Sequence, residues 1–156
     1  MLKSFGFLIN SFNSSQNNIT LCSNINEILT RDSKYSPIIF FAMPGASPVF
    51  TRCCQLHQRH AWGFASPLIS TDIATTIILK GCLQTRRKLF YVYDLEWIYQ
   101  PNIYYKILKD IYQNPEIDLI ARSESHFDIL KNCWKEPIGI VHDYDAKELT
   151  TLIDTL

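Results

Sequence analysis

The sequence predicts an α/β domain built on one doubly wound, mainly parallel sheet with helices on both faces. Two observations carry that prediction. Residues 64–99 read as strand, helix, strand. Apolar Pro67-Leu68-Ile69-Ser70 gives way to Ile73, Ile77 and Gly81, with Ala74, Ile78 and Cys82, at helical spacing; then comes Leu89-Phe90-Tyr91-Val92-Tyr93. Both strands are continuous apolar runs, as strands covered on two faces must be. The second observation is that the same alternation recurs along the chain with short loops, giving about six strands and five helices. Right-handed crossovers then distribute the helices over both sheet faces.

Taken in order, Ser4-Phe5-Gly6-Phe7-Leu8-Ile9 is a first strand buried on both faces, followed by a polar loop over residues 13–18. Leu21, Ile25, Ile28 and Leu29 fall at i, i+4, i+7 and i+8 of an amphipathic helix, with Asn17 or Asn18 as its cap. Pro37-Ile38-Ile39-Phe40-Phe41-Ala42 is the second strand, and Met43-Pro44-Gly45-Ala46-Ser47-Pro48 must be a loop. Residues 49–64 suggest a strand or irregular segment leading to a turn at Gly63. After the central unit, Pro101 opens a helix with Ile103, Ile107 and Ile111, joined by Tyr104 and Leu108, as its stripe. Ile117-Asp118-Leu119-Ile120-Ala121 is a strand. Ser123 starts a helix carrying Phe127, Leu130, Cys133 and Trp134. Pro137-Ile138-Gly139-Ile140-Val141 is the last strand, and Leu149, Leu152, Ile153 and Leu156 mark a final helix. No linker interrupts the pattern, so one Rossmann-like domain over residues 1–156 is expected.

Composition narrows the function. Fifteen basic and fifteen acidic residues give a formal net charge of zero, which disfavours the broad positive surface of a nucleic-acid binder. The adjacent Arg86, Arg87 and Lys88 read as a solvated turn. Five scattered cysteines are not a disulfide framework and fit reduced thiols in the cytoplasm. No apolar run approaches a membrane span, and the short run at residues 5–9 does not make a signal peptide.

Chemistry in a parallel sheet gathers at the carboxyl ends of the strands. No G-x-G-x-x-G, Walker-type loop or G-x-S-x-G elbow occurs, so dinucleotide, P-loop and common hydrolase readings are disfavoured. The strand-end carboxylates Asp72, Asp94, Glu96, Asp143 and Asp145 are the alternatives. Asp94 and Glu96 flank Leu95, so in an extended segment they point the same way, which suits general base work, a metal or sugar hydroxyls. The plainer roles are a cap on the following turn for Asp94 and a solvated surface charge for Glu96. Arg122-Ser123-Glu124-Ser125-His126 lies where a strand feeds a helix start, an anion site if it is not simply an ordinary cap. Cys53, His57 and His60 have ligand-like spacing but no full set, so no metal and no cofactor is expected. Trp62, Trp97 and Trp134 read as packing.

The order FGFLINS, helix, IIFFAMPG, then PLISTD-helix-KLFYVYDLEW and DLIARSESH-helix-PIGIVHDYD resembles the N-terminal half of a two-Rossmann-domain (GT-B) glycosyltransferase. YVYDLEW also resembles a segment of glycosyltransferase-like proteins of tailed bacteriophages. The resemblance implies a site in which Asp94 and Glu96 act on an acceptor hydroxyl and Asn10, Asp72, Arg122, Ser123, His126 and His142 bind ligand. It implies a nucleotide sugar or glycosyl acceptor as partner. The donor-binding second domain of such enzymes is missing from this pattern. A second chain, a homodimer, or a purely protein-binding role, such as a phage protein acting on a host partner through Trp97, Tyr99, Tyr104 or Tyr105, is the alternative.

Overall fold

The computed structural model describes residues 2–99 and 105–156. Among these, seven strands form one sheet in the order β3-β2-β1-β4-β5-β6-β7. They are β1 (Lys3–Ser11), β2 (Tyr35–Met43), β3 (Cys54–His57), β4 (Leu68–Ser70), β5 (Lys88–Val92), β6 (Ile117–Ala121) and β7 (Gly139–Ile140). All six pairings are parallel. The predicted doubly wound, Rossmann-like architecture is therefore present. The chain winds outward from β1 to β3 on one side and from β4 to β7 on the other, so the order reverses between β1 and β4.

The helices are α1 (Gln16–Arg31), α2 (Ile73–Gly81), α3 (Glu96–Tyr99), α4 (Tyr105–Tyr112), α5 (Glu124–Cys133) and α6 (Ala146–Thr155). Alternate strand residues feed opposite layers, as the pleat requires. Phe5, Phe7, Ile9, Leu89 and Tyr91 pack with α1 and α6. Phe90, Val92, Leu119 and Ala121 pack with α2, α4 and α5. Leu8, Phe40 and Leu68 meet Leu79 of α2 and Ala61 of a 3₁₀ turn, Gln58–Gly63. That turn and β3 settle the segment before Gly63: a short strand, then a turn.

Several local readings need correction. Ser15, not Asn17 or Asn18, caps α1: its side chain accepts from the Asn18 N–H. Asn18 is buried instead, its amide donating to Ser11 O and Asn13 Oδ1. In α2 the stripe is rotated. Ile77 is 51% exposed, while Thr75 and Thr76 are buried beside Ile73 and Leu79. Both threonines hide their hydroxyls in local bonds: Thr76 Oγ1 donates to Asp72 O at 2.6 Å, and Thr75 Oγ1 accepts from the Asp72 N–H at 3.1 Å. A helix start can thus bury threonine where hydropathy places isoleucine. Cys133 is exposed rather than part of the α5 stripe. β7 is only two residues long, with buried Pro137 preceding it. The expected helix start at Pro101, with Ile103 and Tyr104, lies outside the described residues.

Candidate functional site

The crevice at the strand-order reversal is where doubly wound folds seat ligands. Here it is filled by the protein itself. Thr71, just past β4, donates its hydroxyl to Leu8 O of β1 at 3.0 Å. Phe12, just past β1, is buried against Phe41 with ring centroids 5.5 Å apart. The loop after β2 passes so close that a side chain at Gly45 would place its Cβ 1.9 Å from Phe12 O. Only glycine fits there. Asn10 is exposed at the end of β1, beside this closed crevice.

The helix starts on the rim are occupied too. Asp72 caps α2, accepting from the Thr75 N–H at 2.7 Å, within a reciprocal capping box. Ser123 caps α5 by accepting from the His126 N–H. Asp145 caps α6, accepting from the N–H groups of Lys147 and Glu148. Asp72 and Ser123 are thus first of all capping residues. An anion would have to displace them to reach the backbone N–H groups.

What remains open is a row of polar groups from the ends of β4, β5, β6 and β7. Asp94 and Glu96 do not share one face of an extended segment, because Glu96 opens the short helix α3. The Asp94 side chain is 63% exposed and lies 3.9 Å from Arg122. Glu96 turns inward and accepts the Ile73 N–H at 3.1 Å, reaching back to the first residue of α2. Burial, then the neighbouring charges of Asp72 and Asp94, push the Glu96 carboxyl up to about 7; the bond from Ile73 works the other way. It is a carboxyl that exchanges its proton near neutrality.

Arg122 donates from Nε to Asp143 at 2.5 Å and lies over the Tyr93 ring, 3.9 Å from its centroid. Asp143 sits at φ 44°, ψ 42°, and Tyr144 follows at φ 61°. Two consecutive left-handed residues that are not glycine are costly and persist only when their surroundings fix them. Tyr144 is fully buried and stacks on Tyr91 and Tyr93 at 4.0 and 5.7 Å. Its hydroxyl donates to Asn17 of α1, its N–H donates to the Tyr91 hydroxyl, and Asn24 of α1 donates to Asp143 O. Asp143 thus has its place because Tyr144 is anchored beneath it.

Of the expected binding residues, Arg122 joins Asp94, and Asp72 lies close enough to Glu96 to raise its pKa. His142 does not join them. Its N–H and ring face Glu148 on the α6 side, 2.7 and 3.1 Å away. His126 is half-buried on α5, with a buried Nδ1 that has no partner among the described residues. Trp97 is not a free contact residue: it packs edge-on against Tyr112 and Trp134 at 4.8 and 5.8 Å. Tyr99 and Tyr105 are exposed, and Tyr104 lies outside the described residues. Cys54 and His57 belong to β3, and His57 caps the following turn, so Cys53, His57 and His60 do not share a helical face. Among the described residues, no three His, Cys, Asp or Glu side chains gather as metal ligands would. No described helix is long and apolar enough to cross a membrane. Tyr93 and Tyr144 are the residues sequence reasoning missed. The aromatic Tyr91-Val92-Tyr93 alternation was the available signal.

Comparison with protein families, curated proteins and solved structures gives no match. The site must therefore be judged on its own chemistry.

Proposed function

We propose that the carboxyl rim of this chain binds a neutral, hydroxyl-rich ligand, the acceptor of a glycosyl transfer, rather than a nucleotide-sugar donor. One observation carries this reading: the rim presents carboxylates, while its helix starts are filled by the protein's own caps. Asp94, the most exposed of these carboxylates, and the second oxygens of Asp72, Glu96 and Asp143 would accept hydrogen bonds from hydroxyls, and their negative charge would repel phosphates. Arg122, the cation among them, is already held by Asp143 and Asp94. A diphosphate finds no vacant run of N–H groups at the capped starts of α2, α5 and α6.

The chemistry follows from Glu96. A general base works best with a pKa near the working pH, and Glu96 stands at about 7. In the proposed step an acceptor hydroxyl forms the new bond to the anomeric carbon and gives its proton to Glu96. The donor's nucleotide departs with the electron pair of the broken bond. Asp94, more exposed, orients the same hydroxyl. A second domain or chain supplies the donor.

The test is calorimetric titration with neutral oligosaccharides on one side and UDP- and GDP-sugars on the other. Binding of an oligosaccharide, weakened tenfold or more by Asp94→Asn and made pH-independent between 6 and 8 by Glu96→Gln, is the expected result. Nucleotide sugars binding without any oligosaccharide, or neither class binding, overturns the reading.

A further inference from the structure

Arg86, Arg87 and Lys88 do not form the solvated turn that their charge suggests. The first two end the connection from α2 and the third opens β5. With Leu83, Thr85 and Glu116 they line a cavity of about 370 Å³ at the amino ends of β5 and β6. Lys88 lies on an interior strand, paired with Leu68 on one side and Ile117 on the other, and is only 7% exposed. Such burial is rare for lysine and demands partners. Its ammonium donates to Lys80 O at the end of α2, 3.0 Å away, and to Glu116, 3.3 Å away. The Glu116 side chain is 73% exposed, so solvent weakens its hold on the buried charge. Arg87 gives one terminal nitrogen to Asp118 at 2.6 Å, while its Nε–H is buried with no acceptor among the described residues. Arg86 is exposed and belongs to no ion pair among the described residues.

We propose that this cavity binds a phosphate monoester. Three cations and one carboxylate line it, the reverse of the balance at the carboxyl rim, and that excess suits a doubly charged anion. Donors also outnumber acceptors. An ammonium carries three N–H groups and a guanidinium five. Among the described residues, the side chains of Lys88 and Arg87 find only Lys80 O, Glu116 and Asp118. A terminal phosphate brings three acceptor oxygens, and arginine meets it in a two-pronged geometry. The frame under these groups is fixed in advance, which lowers the cost of binding. The Arg86 N–H donates to Ala65 O at 2.9 Å, and Arg87 O accepts from the Leu68 N–H at 3.0 Å. The Thr85 hydroxyl donates to Phe64 O at 2.9 Å. The volume lies in the range of small-molecule sites, and exposed Leu83 offers an apolar wall to the organic group. Soluble phosphomonoesters and lipid headgroups that end in one share this chemistry.

Calorimetric titration of the full chain with glycerol 3-phosphate at fixed ionic strength reads the soluble source. Co-sedimentation with phosphatidylcholine vesicles, with and without phosphatidic acid, reads the lipid source. Binding in either arm is expected. Arg86→Ala, at an exposed position, should weaken it by about tenfold or more. Glu116→Gln removes the competing charge yet keeps an acceptor for Lys88, and should tighten binding by about threefold. Lys147→Ala removes an exposed cation of α6 and should leave binding unchanged. Absence of binding in both arms overturns the proposal. So does equal weakening by Lys147→Ala and Arg86→Ala, which would make the attraction one of overall charge. Asp94→Asn should leave this binding intact, so the outcome is separate from that of oligosaccharide binding at the carboxyl rim.

Discussion

The two rims of the sheet carry similar charged residues and use them differently. At the amino rim, Asp154 accepts from Lys3 and from the Tyr35 hydroxyl at 2.9 Å each, and from Lys34 at 3.4 Å. A cavity of about 330 Å³ between α1 and α6 is lined by Asp154, Tyr35 and Lys34 together with Arg31, Asp32 and Lys147. Acids and bases alternate there, the charged side chains are half-exposed, and the described backbone is ordinary. At the carboxyl rim, carboxylates outnumber the cation among them, one is half-buried, and the backbone is left-handed at two consecutive residues. Counting charges would rank the rims together. Desolvation and strain separate them, because both cost stability and persist only where surrounding structure enforces them.

The largest effect should come from the anchor beneath Asp143. Tyr144→Ala removes a fully buried ring from a stack with Tyr91 and Tyr93 and leaves Asn17 without its donor. Truncating a buried aromatic costs about 3 to 5 kcal/mol. Urea unfolding should show that loss, and the Arg122–Asp143 pair should loosen with it. A loss below about 1 kcal/mol would mean that the left-handed turn is not held from below, and that the carboxyl rim is no more constrained than the amino rim.

Next in size is the proton on Glu96. Its folded pKa, about 7, lies above the ordinary carboxyl value of 4.5. Between those two values the folded protein holds a proton that the unfolded chain has released. Stability therefore falls as pH rises from about 4.5 to about 7 and is level above that. Glu96→Gln keeps an oxygen to accept the Ile73 N–H and removes the titration. Allowing for solvent that reaches the side chain, it should stabilise the protein by about 2 kcal/mol at pH 8 and by nothing at pH 4.5. Denaturant unfolding at the two pH values checks this. Equal effects at both would show that burial does not hold the proton on Glu96.

Most of the fold could be read from the chain, and the reason is local. The first, second and fifth strands are built on continuous apolar runs, which few alternatives satisfy. Capping at Ser123 is equally local, since it bonds a backbone N–H three residues away. What escaped depends on distance along the chain. Glu96 meets Ile73 across 23 residues, so alternation around Leu95 gave no hint of a helical turn. Tyr144 reaches Tyr91 across 53 residues, and no glycine announces the left-handed pair. His142 followed the strand-end rule in sequence but was drawn to Glu148, six residues on, by the start of α6. The rule places residues on a rim; it does not say which way they turn.

The smallest predicted effect sharpens the contrast from the other side. Bonds from Lys3, Tyr35 and Lys34 hold the Asp154 carboxyl below its ordinary value. A depressed carboxylate contributes stability above the unfolded pKa, near 3.8, and loses it as pH falls through the folded value. Its two lysine partners are nevertheless exposed, and exposed ion pairs are worth about 0 to 1 kcal/mol because water and salt screen them. Asp154→Asn should therefore cost less than about 1 kcal/mol at pH 7, vanish below pH 3.8, and shrink further in high salt. The Glu96→Gln effect has the opposite sign and should be less sensitive to salt, since burial rather than pairing is its main cause. Should Asp154→Asn prove the more damaging of the two and salt-independent, the amino rim would be the enforced one, and its 330 Å³ cavity would displace the carboxyl rim as the first place to look for a ligand.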